Sequence, residues 1–236
     1  MKLHSITKLL ENNAYPGRGI IMGRNATHAI MAYFIMGRSE NSRNRVFEST
    51  KDGIITKAFD ESKMTDPSLI IYAPVRKAGE HVTIVTNGDQ TDTIIAHLQE
   101  GKTFEDALQT RTFEPDAPNF TPRISGMASF KNGEFSYRLS ILKSNDGDPK
   151  STQRFFYDYA SPLQMEGHFI HTYQQDGDPL PSFSGEPTRI SLHGTIDQFT
   201  QRLWDALNPD NKISLFVRFV SLANEETITK ILNKNQ

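Results

Sequence analysis

Short runs of β-branched and aromatic residues recur along the chain, each bounded by turn formers, and their spacing sets the expected fold. Residues 19–24 and 27–37 read as two strands, with Asn25-Ala26 as the hairpin turn between them. Residues 53–59, 69–73 and 82–86 follow as further strands. Residues 124–130 and 134–142 flank Lys131-Asn132-Gly133, and an Asn-Gly between two such runs is the strongest hairpin signal present. Residues 154–159, 167–173, 188–192 and 212–220 complete the strand set.

Helical spacing is rarer. Residues 1–12 read as a short amphipathic helix through Leu3, Ile6, Leu9 and Leu10. Residues 91–99 place Ile94, Ile95 and Leu98 on one face, and Gly101 supplies a stop. Thr103-Phe104-Glu105-Asp106 reads as a capping box, with Asp in place of the usual Glu, opening a helix to about Thr110. Residues 196–207 carry Phe199, Leu203, Trp204 and Leu207 at helical spacing, and Asn208-Pro209 ends them. Residues 225–233 are expected to form a last helix. Strands dominate and helices fall in pairs or near the ends, which predicts α+β layers rather than alternating βαβ units. No internal repeat or low-complexity tract is present. The chain is read as a single domain over 1–236. Asn145-Asp146-Gly147-Asp148-Pro149-Lys150 is its most linker-like stretch: either a boundary before a C-terminal extension from about 150, or only a long hairpin loop.

Composition narrows the chemistry. The 236 residues suit one large domain or two small ones, and 36% apolar with 23% charged residues argues against disorder. A net charge of −2 gives no global basic field for nucleic acid, so any anion site must be local. Cysteine is absent, which excludes disulfides, thiolate metal sites and a cysteine nucleophile. No apolar run is long enough to cross a bilayer, and no cleavage site follows an apolar N-terminal stretch, so the cytoplasm is the expected compartment. Residue 2 is Lys, so loss of Met1 exposes no Ser, Thr or Cys nucleophile. Nucleophile-elbow, Walker and dinucleotide fingerprints are also missing.

Four segments carry candidate chemistry. A strand containing Tyr33 runs into a loop with Arg38, Arg43 and Arg45, whose planar donor forks match phosphate oxygens; a solvated loop is the alternative. Tyr72, in Tyr72-Ala73-Pro74-Val75-Arg76, can donate a hydrogen bond or act as a weak acid, although the residues alone favour a core tyrosine with its hydroxyl at the edge. Thr86-Asn87-Gly88-Asp89 joins a strand to a helix start, where backbone N–H groups attract anions and Asn87 can read an amide or carbonyl; the same residues are ordinary turn and cap formers. Residues 113–124 form a proline-stiffened loop presenting Glu114, Asp116 and Arg123, and neighbouring carboxylates raise one another's pKa. His168 and His171 are three apart in a strand and so point to opposite faces, a poor metal pair, and the Asp176-Gly177-Asp178 turn lacks calcium-loop spacing; no metal site is expected. Residues 179–187 form another stiff polar loop, read as a lid or an interface.

Taken in order, these segments resemble the archaeal-type IMP cyclohydrolase family. The matching pieces are Gly17-Arg18 to Gly23, Ala32-Tyr33 through Arg38-Ser39 to Asn44-Arg45, Asp66-Pro67 to Tyr72, Thr86-Asn87-Gly88 with Thr91-Asp92, Asp106-Ala107-Leu108, Glu114, and Thr121-Pro122-Arg123-Ile124. They cover roughly residues 17–142. About two residues are inserted between Ser39 and Asn44, and the segment after about 145 is extra relative to short members, as in the longer bacterial branch.

The resemblance implies a four-layer αββα sandwich like that of N-terminal nucleophile hydrolases, without self-processing. It implies closure of 5-formamidoimidazole-4-carboxamide ribonucleotide to IMP with loss of water, with no cofactor, and it suggests self-association into a homo-oligomer. Carried over to this sequence, Arg38 and Arg45 recognise phosphate or base, with Tyr33 beside them. Tyr72 and Glu114 are the acid/base candidates, and Asn87 and Arg123 orient the reacting amides. Two alternatives stay open: an amidohydrolase or cyclohydrolase acting on a related purine ribonucleotide, and a non-catalytic nucleotide-binding protein.

Overall fold

The N-terminal segment folds back on itself because both of its strands are apolar on two faces. In a computed structural model, which describes residues 3–64, 67, 70–131 and 134–236, helix α1 (Ile6–Glu11) precedes β1 (Arg18–Arg24) and β2 (His28–Met36). Asn25 closes the expected turn, its backbone N–H bonding His28 O and its side chain accepting from Thr27 and His28 N–H. Then come α2 (Glu40–Arg43), β3 (Arg45–Ser49), β4 (Gly53–Ala58), a short 3₁₀ turn at Glu61–Lys63, β5 (Val75–Lys77) and β6 (Val82–Thr86). Two helices, α3 (Gln90–Gln99) and α4 (Phe104–Gln109), lead to the long strands β7 (Arg123–Lys131), β8 (Glu134–Asn145) and β9 (Asp148–Tyr159). The chain finishes with β10 (Glu166–His171), β11 (Thr188–Ser191), α5 (Ile196–Ala206), β12 (Lys212–Ser221) and β13 (Thr227–Asn233).

The result is a mixed α+β fold with two antiparallel sheets and few helices. One sheet runs β11-β10-β1-β2-β12-β13 and the other β3-β4-β5-β6-β7-β8-β9. Strand alternation sorts the side chains. Ile20, Met22, Met31, Tyr33 and Ile35 join Phe47, Val75, Val85 and Ile124 in a core shared by both sheets. Ile21, Ile30, Ala32 and Phe34 pack with α1 and α5, and Ile84, Met127 and Leu142 pack with α3 and α4. The expected capping box forms, Thr103 with Asp106, and α5 opens with a second one, Thr195 with Gln198. Thr195→Ala is expected to lower stability by about 1 kcal/mol, read by chemical denaturation.

Two expectations are corrected. Residues 225–233 do not form a helix: β13 pairs along β12, where Thr227, Ile228, Thr229 and Ile231 suit a strand. Ile231 packs toward the inter-sheet core and Leu232 toward the α1/α5 side, so apolar residues on both strand faces imitate a helical period. Of the expected strand 69–73, Leu69 lies outside the described residues and 70–73 is irregular. Thr56 Oγ1 takes the place of a ladder there, donating to Ile70 O (2.6 Å) and accepting from Tyr72 N–H (2.9 Å). The 145–150 stretch forms a tight turn, with Asp146 at φ 52° and Gly147 at φ 77°, followed at once by β9. The expected Asn132-Gly133 turn lies outside the described residues, as does Asp66.

His168 and His171 do face opposite sides of their strand. His168 accepts from or donates to Tyr137 Oη (2.7 Å) beneath Tyr159, whereas His171 meets Tyr173 O (2.7 Å) and Phe183. Burial depresses both imidazoles to about 4. The 179–187 loop is fastened through Leu180 N–H to Asn119, Phe183 O to Lys143 and Gly185 O to Tyr157.

Candidate active site

One face of the first hairpin presents polar groups to the inter-sheet space. Arg18 shares strand parity with the core residues Ile20 and Met22, and Tyr33 shares it with Met31 and Ile35, so both look toward the second sheet. From that sheet, Arg45 opens β3 on the same face as Phe47. Tyr72 comes from the irregular segment pinned by Thr56, and its hydroxyl meets that of Tyr33 at 2.8 Å. Burial, with Tyr72 beside it, pushes the Tyr33 pKa well above its ordinary value, so Tyr33 keeps its proton.

Glu114 lies where these strand ends meet. Its loop is closed by a backbone bond from Glu114 N–H to Thr121 O (2.9 Å), which turns the carboxyl inward at 3% exposure. Burial raises this carboxyl to about 7, against the pull of Arg18 and Arg123 and helped by Asp116. Near neutral pH it therefore passes readily between its two charge states, as a proton carrier must.

The cations around it are only partly satisfied. Arg45 is 1% exposed and donates through Nε to Ser42 O (2.7 Å), but its Nη1 and Nη2 make no hydrogen bond among the described residues. Burial first, then the neighbouring Arg18 cation, lower its pKa. The Nε atoms of Arg18 and Arg123 are likewise buried and, among the described residues, unpartnered. Arg18 lies within electrostatic reach of Glu114, Tyr173, Tyr15 and Tyr72. Buried donors without acceptors are costly, and an acceptor-rich, anionic group could satisfy them.

The remaining expected residues frame the cluster. Arg123 is held through Nη1 by Gln90 Oε1 and Asp89 Oδ1, each at 2.8 Å, and Arg111 grips Asp89 in turn. Asn87 is fully buried and committed to the backbone: it donates to Pro122 O (2.9 Å) and accepts from Ile124 N–H (2.8 Å) and Gln90 (3.1 Å). It thereby anchors the start of β7, from which Arg123 springs. Arg38 stands apart. It is partly exposed, paired with Asp176 (2.8 Å), and reaches the cluster only through the Tyr15 ring beneath it. Arg43 bonds Gly37 O and Asn211. Of the three arginines in that loop, only Arg45 points inward.

A family model described as "IMP cyclohydrolase-like protein" matches residues 15–225. The chain belongs to the IMP cyclohydrolase-like family. Two relatives named IMP cyclohydrolase are similar to it. One, from Methanosphaera stadtmanae, is 31% identical over 161 residues, covering 64% of this chain and 78% of the relative. The other, from Methanothrix thermoacetophila, is 26% identical over 163 residues, covering 65% and 80%.

The family match runs well beyond residue 142 and takes in the C-terminal strands, so the resemblance read from sequence was too short. Those strands reach the cluster. Tyr173 follows β10, stacks on Tyr15 (centroids 5.8 Å apart) and bonds Thr121 Oγ1 at 2.5 Å. Arg18, Tyr15 and Tyr173 were not singled out from the sequence as site residues. Arg18 carried one usable sign: a charged residue continuing the inward stripe of an otherwise apolar strand. Tyr173 carried none, because only the pairing of β10 with β1 brings it near.

Proposed function

We propose that this chain is an IMP cyclohydrolase, closing 5-formamidoimidazole-4-carboxamide ribonucleotide to IMP with loss of water. The observation that carries this reading is the convergence of Arg18, Arg45 and Arg123 on Glu114, with buried guanidinium donors left over and the Tyr33–Tyr72 hydroxyl pair alongside. Ring closure within one nucleotide is chiefly a matter of orientation, so fixed cations holding the phosphate and base supply much of the catalysis.

The carboxamide nitrogen adds to the formyl carbon while the Glu114 carboxylate takes one of its protons, and Tyr72 donates to the oxygen. The carbinolamine C–O bond then breaks. Its oxygen leaves as water, carrying the proton from Glu114, and the formamido N–H proton returns to Tyr72. The two N–H protons and the formyl oxygen thus depart together. Arg123 stabilises negative charge on oxygen as it develops.

The deciding experiment is an absorbance assay for IMP formation from the formylated precursor, with and without EDTA. Turnover insensitive to EDTA is expected. Turnover of another purine ribonucleotide instead would favour the amidohydrolase alternative, and binding without turnover the non-catalytic one. Tyr72→Phe is expected to lower kcat by about 10- to 100-fold with little change in KM, since Tyr33 retains a hydroxyl nearby; an unaltered kcat removes Tyr72 from proton transfer. Arg38→Ala is expected to raise KM by no more than about 5-fold, the scale of an exposed ion pair, and an unchanged KM assigns Arg38 to loop anchoring alone.

Several further points belong to this reading. The two sheets with helices packed outside each fit a four-layer αββα sandwich of the N-terminal nucleophile hydrolase type. After 145, β9 completes the second sheet and β10 to β13 complete the first, which favours one domain over 1–236. We also take the protein as a cytoplasmic homo-oligomer that binds no nucleic acid; light scattering tests the oligomer. Among the described residues, no helix is long and apolar enough to cross a membrane.

A further inference from the structure

In the cyclohydrolase reading Arg123 stabilises the oxygen on which negative charge develops, and only one edge of it is left for that task. Its Nη1 is taken by two protein acceptors, Gln90 Oε1 through a hydrogen bond (2.8 Å) and Asp89 Oδ1 through an ion pair (2.8 Å). A guanidinium carries five N–H groups in one plane, two of them on Nη1. The other donors, on Nε and Nη2, form the edge directly opposite Nη1. Nε is buried without an acceptor among the described residues. Two parallel N–H groups on one edge suit an oxygen that is gaining charge. The hold on Nη1 therefore decides which way Arg123 faces.

Both halves of that hold are themselves fixed. Gln90 opens α3 fully buried, and its Nε2 donates to Asn87 Oδ1 (3.1 Å) and Ile124 O (3.2 Å), so its Oε1 must face Arg123. Asp89 stands at the N-cap of α3, where an aspartate ordinarily accepts from the helix, yet its side chain caps nothing. Instead both of its oxygens accept from Nη2 of Arg111 (2.6 and 2.7 Å), and Arg111 Nη1 also reaches Thr93 Oγ1 (3.3 Å). Although burial raises it, the two arginines hold the Asp89 carboxyl below its ordinary value. Asp89 alone would cancel the charge of Arg123; with Arg111 the three groups keep one net positive charge. Gly88 supplies the space, because a methyl there would overlap Arg123 Nη1 and Gln90 Oε1. We propose that Arg111, Asp89 and Gly88 are positioning residues that turn the Nε–Nη2 edge of Arg123 toward the reacting formyl oxygen and keep it cationic. The inference rests on the cyclohydrolase reading above and gives Arg111, which lies just past α4, a specific task in it.

The test uses steady-state kinetics with the formylated precursor. Arg111→Met is expected to lower kcat by about 10-fold with KM within about 2-fold of wild type, because the oxygen gains charge only after binding. Arg111→Lys keeps the charge but not the planar fork, and is expected to recover about 3-fold of that loss. Gly88→Ala pushes Nη1 off its acceptors and is expected to lower kcat by about 10²-fold, the scale of a small misplacement at a reacting centre. Arg111 and Asp89 are partly exposed, and Gly88 does not lie in the left-handed region, so melting temperatures near that of wild type are expected. The deciding comparison is a double-mutant cycle. In an Arg123→Ala background, Arg111→Met should change kcat by less than about 2-fold, because nothing is left to orient. An undiminished further loss in that background overturns the proposal, as does wild-type kcat in either Arg111→Met or Gly88→Ala, or a rise in KM alone. A wild-type protein that does not turn over the precursor overturns the cyclohydrolase reading itself, and this inference with it.

Discussion

Glu114→Gln is expected to lower kcat by about 10³-fold while leaving KM within a few-fold, because the amide fills the same space but cannot take up and release a proton. The same substitution is expected to stabilise the protein at alkaline pH. Burial raises the Glu114 carboxyl from 4.5 to about 7, so the folded state holds this proton more tightly than the unfolded state does. Stability therefore falls as pH rises from 4.5 to about 7, by about 3 kcal/mol in all, and stays low above that. Glutamine removes the penalty. Thermal melts should show the variant ahead of wild type at pH 8 and nearly level with it at pH 5. Wild-type kcat/KM should decline below pH 7 as the carboxylate base is lost. A variant with near-normal kcat, or with no stability gain at pH 8, would remove Glu114 from the role given to it.

Arg45→Met is expected to raise KM by about 10²- to 10³-fold, or to abolish saturation altogether. Two of its guanidinium nitrogens are buried without acceptors among the described residues, and the Arg18 cation lies nearby, so a folded protein without ligand carries this charge at a cost of several kcal/mol. Methionine fills similar space without charge, and the melting temperature should rise. Together, higher stability and lost affinity distinguish a ligand-holding arginine from a structural one. If affinity were preserved, the phosphate would have to sit elsewhere.

Much of the fold was legible because its strands follow simple alternation. The turn at Asn25, the Thr103 capping box and the long strands in 123–159 arise from local rules that tertiary contacts did not override. Legibility failed where a segment's environment was not local. β13 carries apolar residues on both faces because each face has something to cover, which sequence spacing alone cannot tell from a helix. Residues 70–73 look extended, but a single threonine on β4 provides their hydrogen bonds. In the cluster, Arg45, Glu114 and Arg123 could be nominated from residue type and context, whereas Tyr33 and Tyr72 entered only through the family resemblance. Which arginine of the 38–45 loop turns inward depended on strand parity after β3, and Asn87 proved to be tied to the backbone of β7.

The order β11-β10-β1-β2-β12-β13 bears on how the molecule comes into being. The hairpin carrying Arg18 and Tyr33 is made first, yet its two hydrogen-bonding neighbours, β10 and β12, are made late. On the ribosome it must wait, with both edges open, while the whole second sheet is synthesised. Such long-range pairing slows folding and exposes strand edges to other chains. A nascent polypeptide should therefore gain nucleotide affinity only after β12 has emerged.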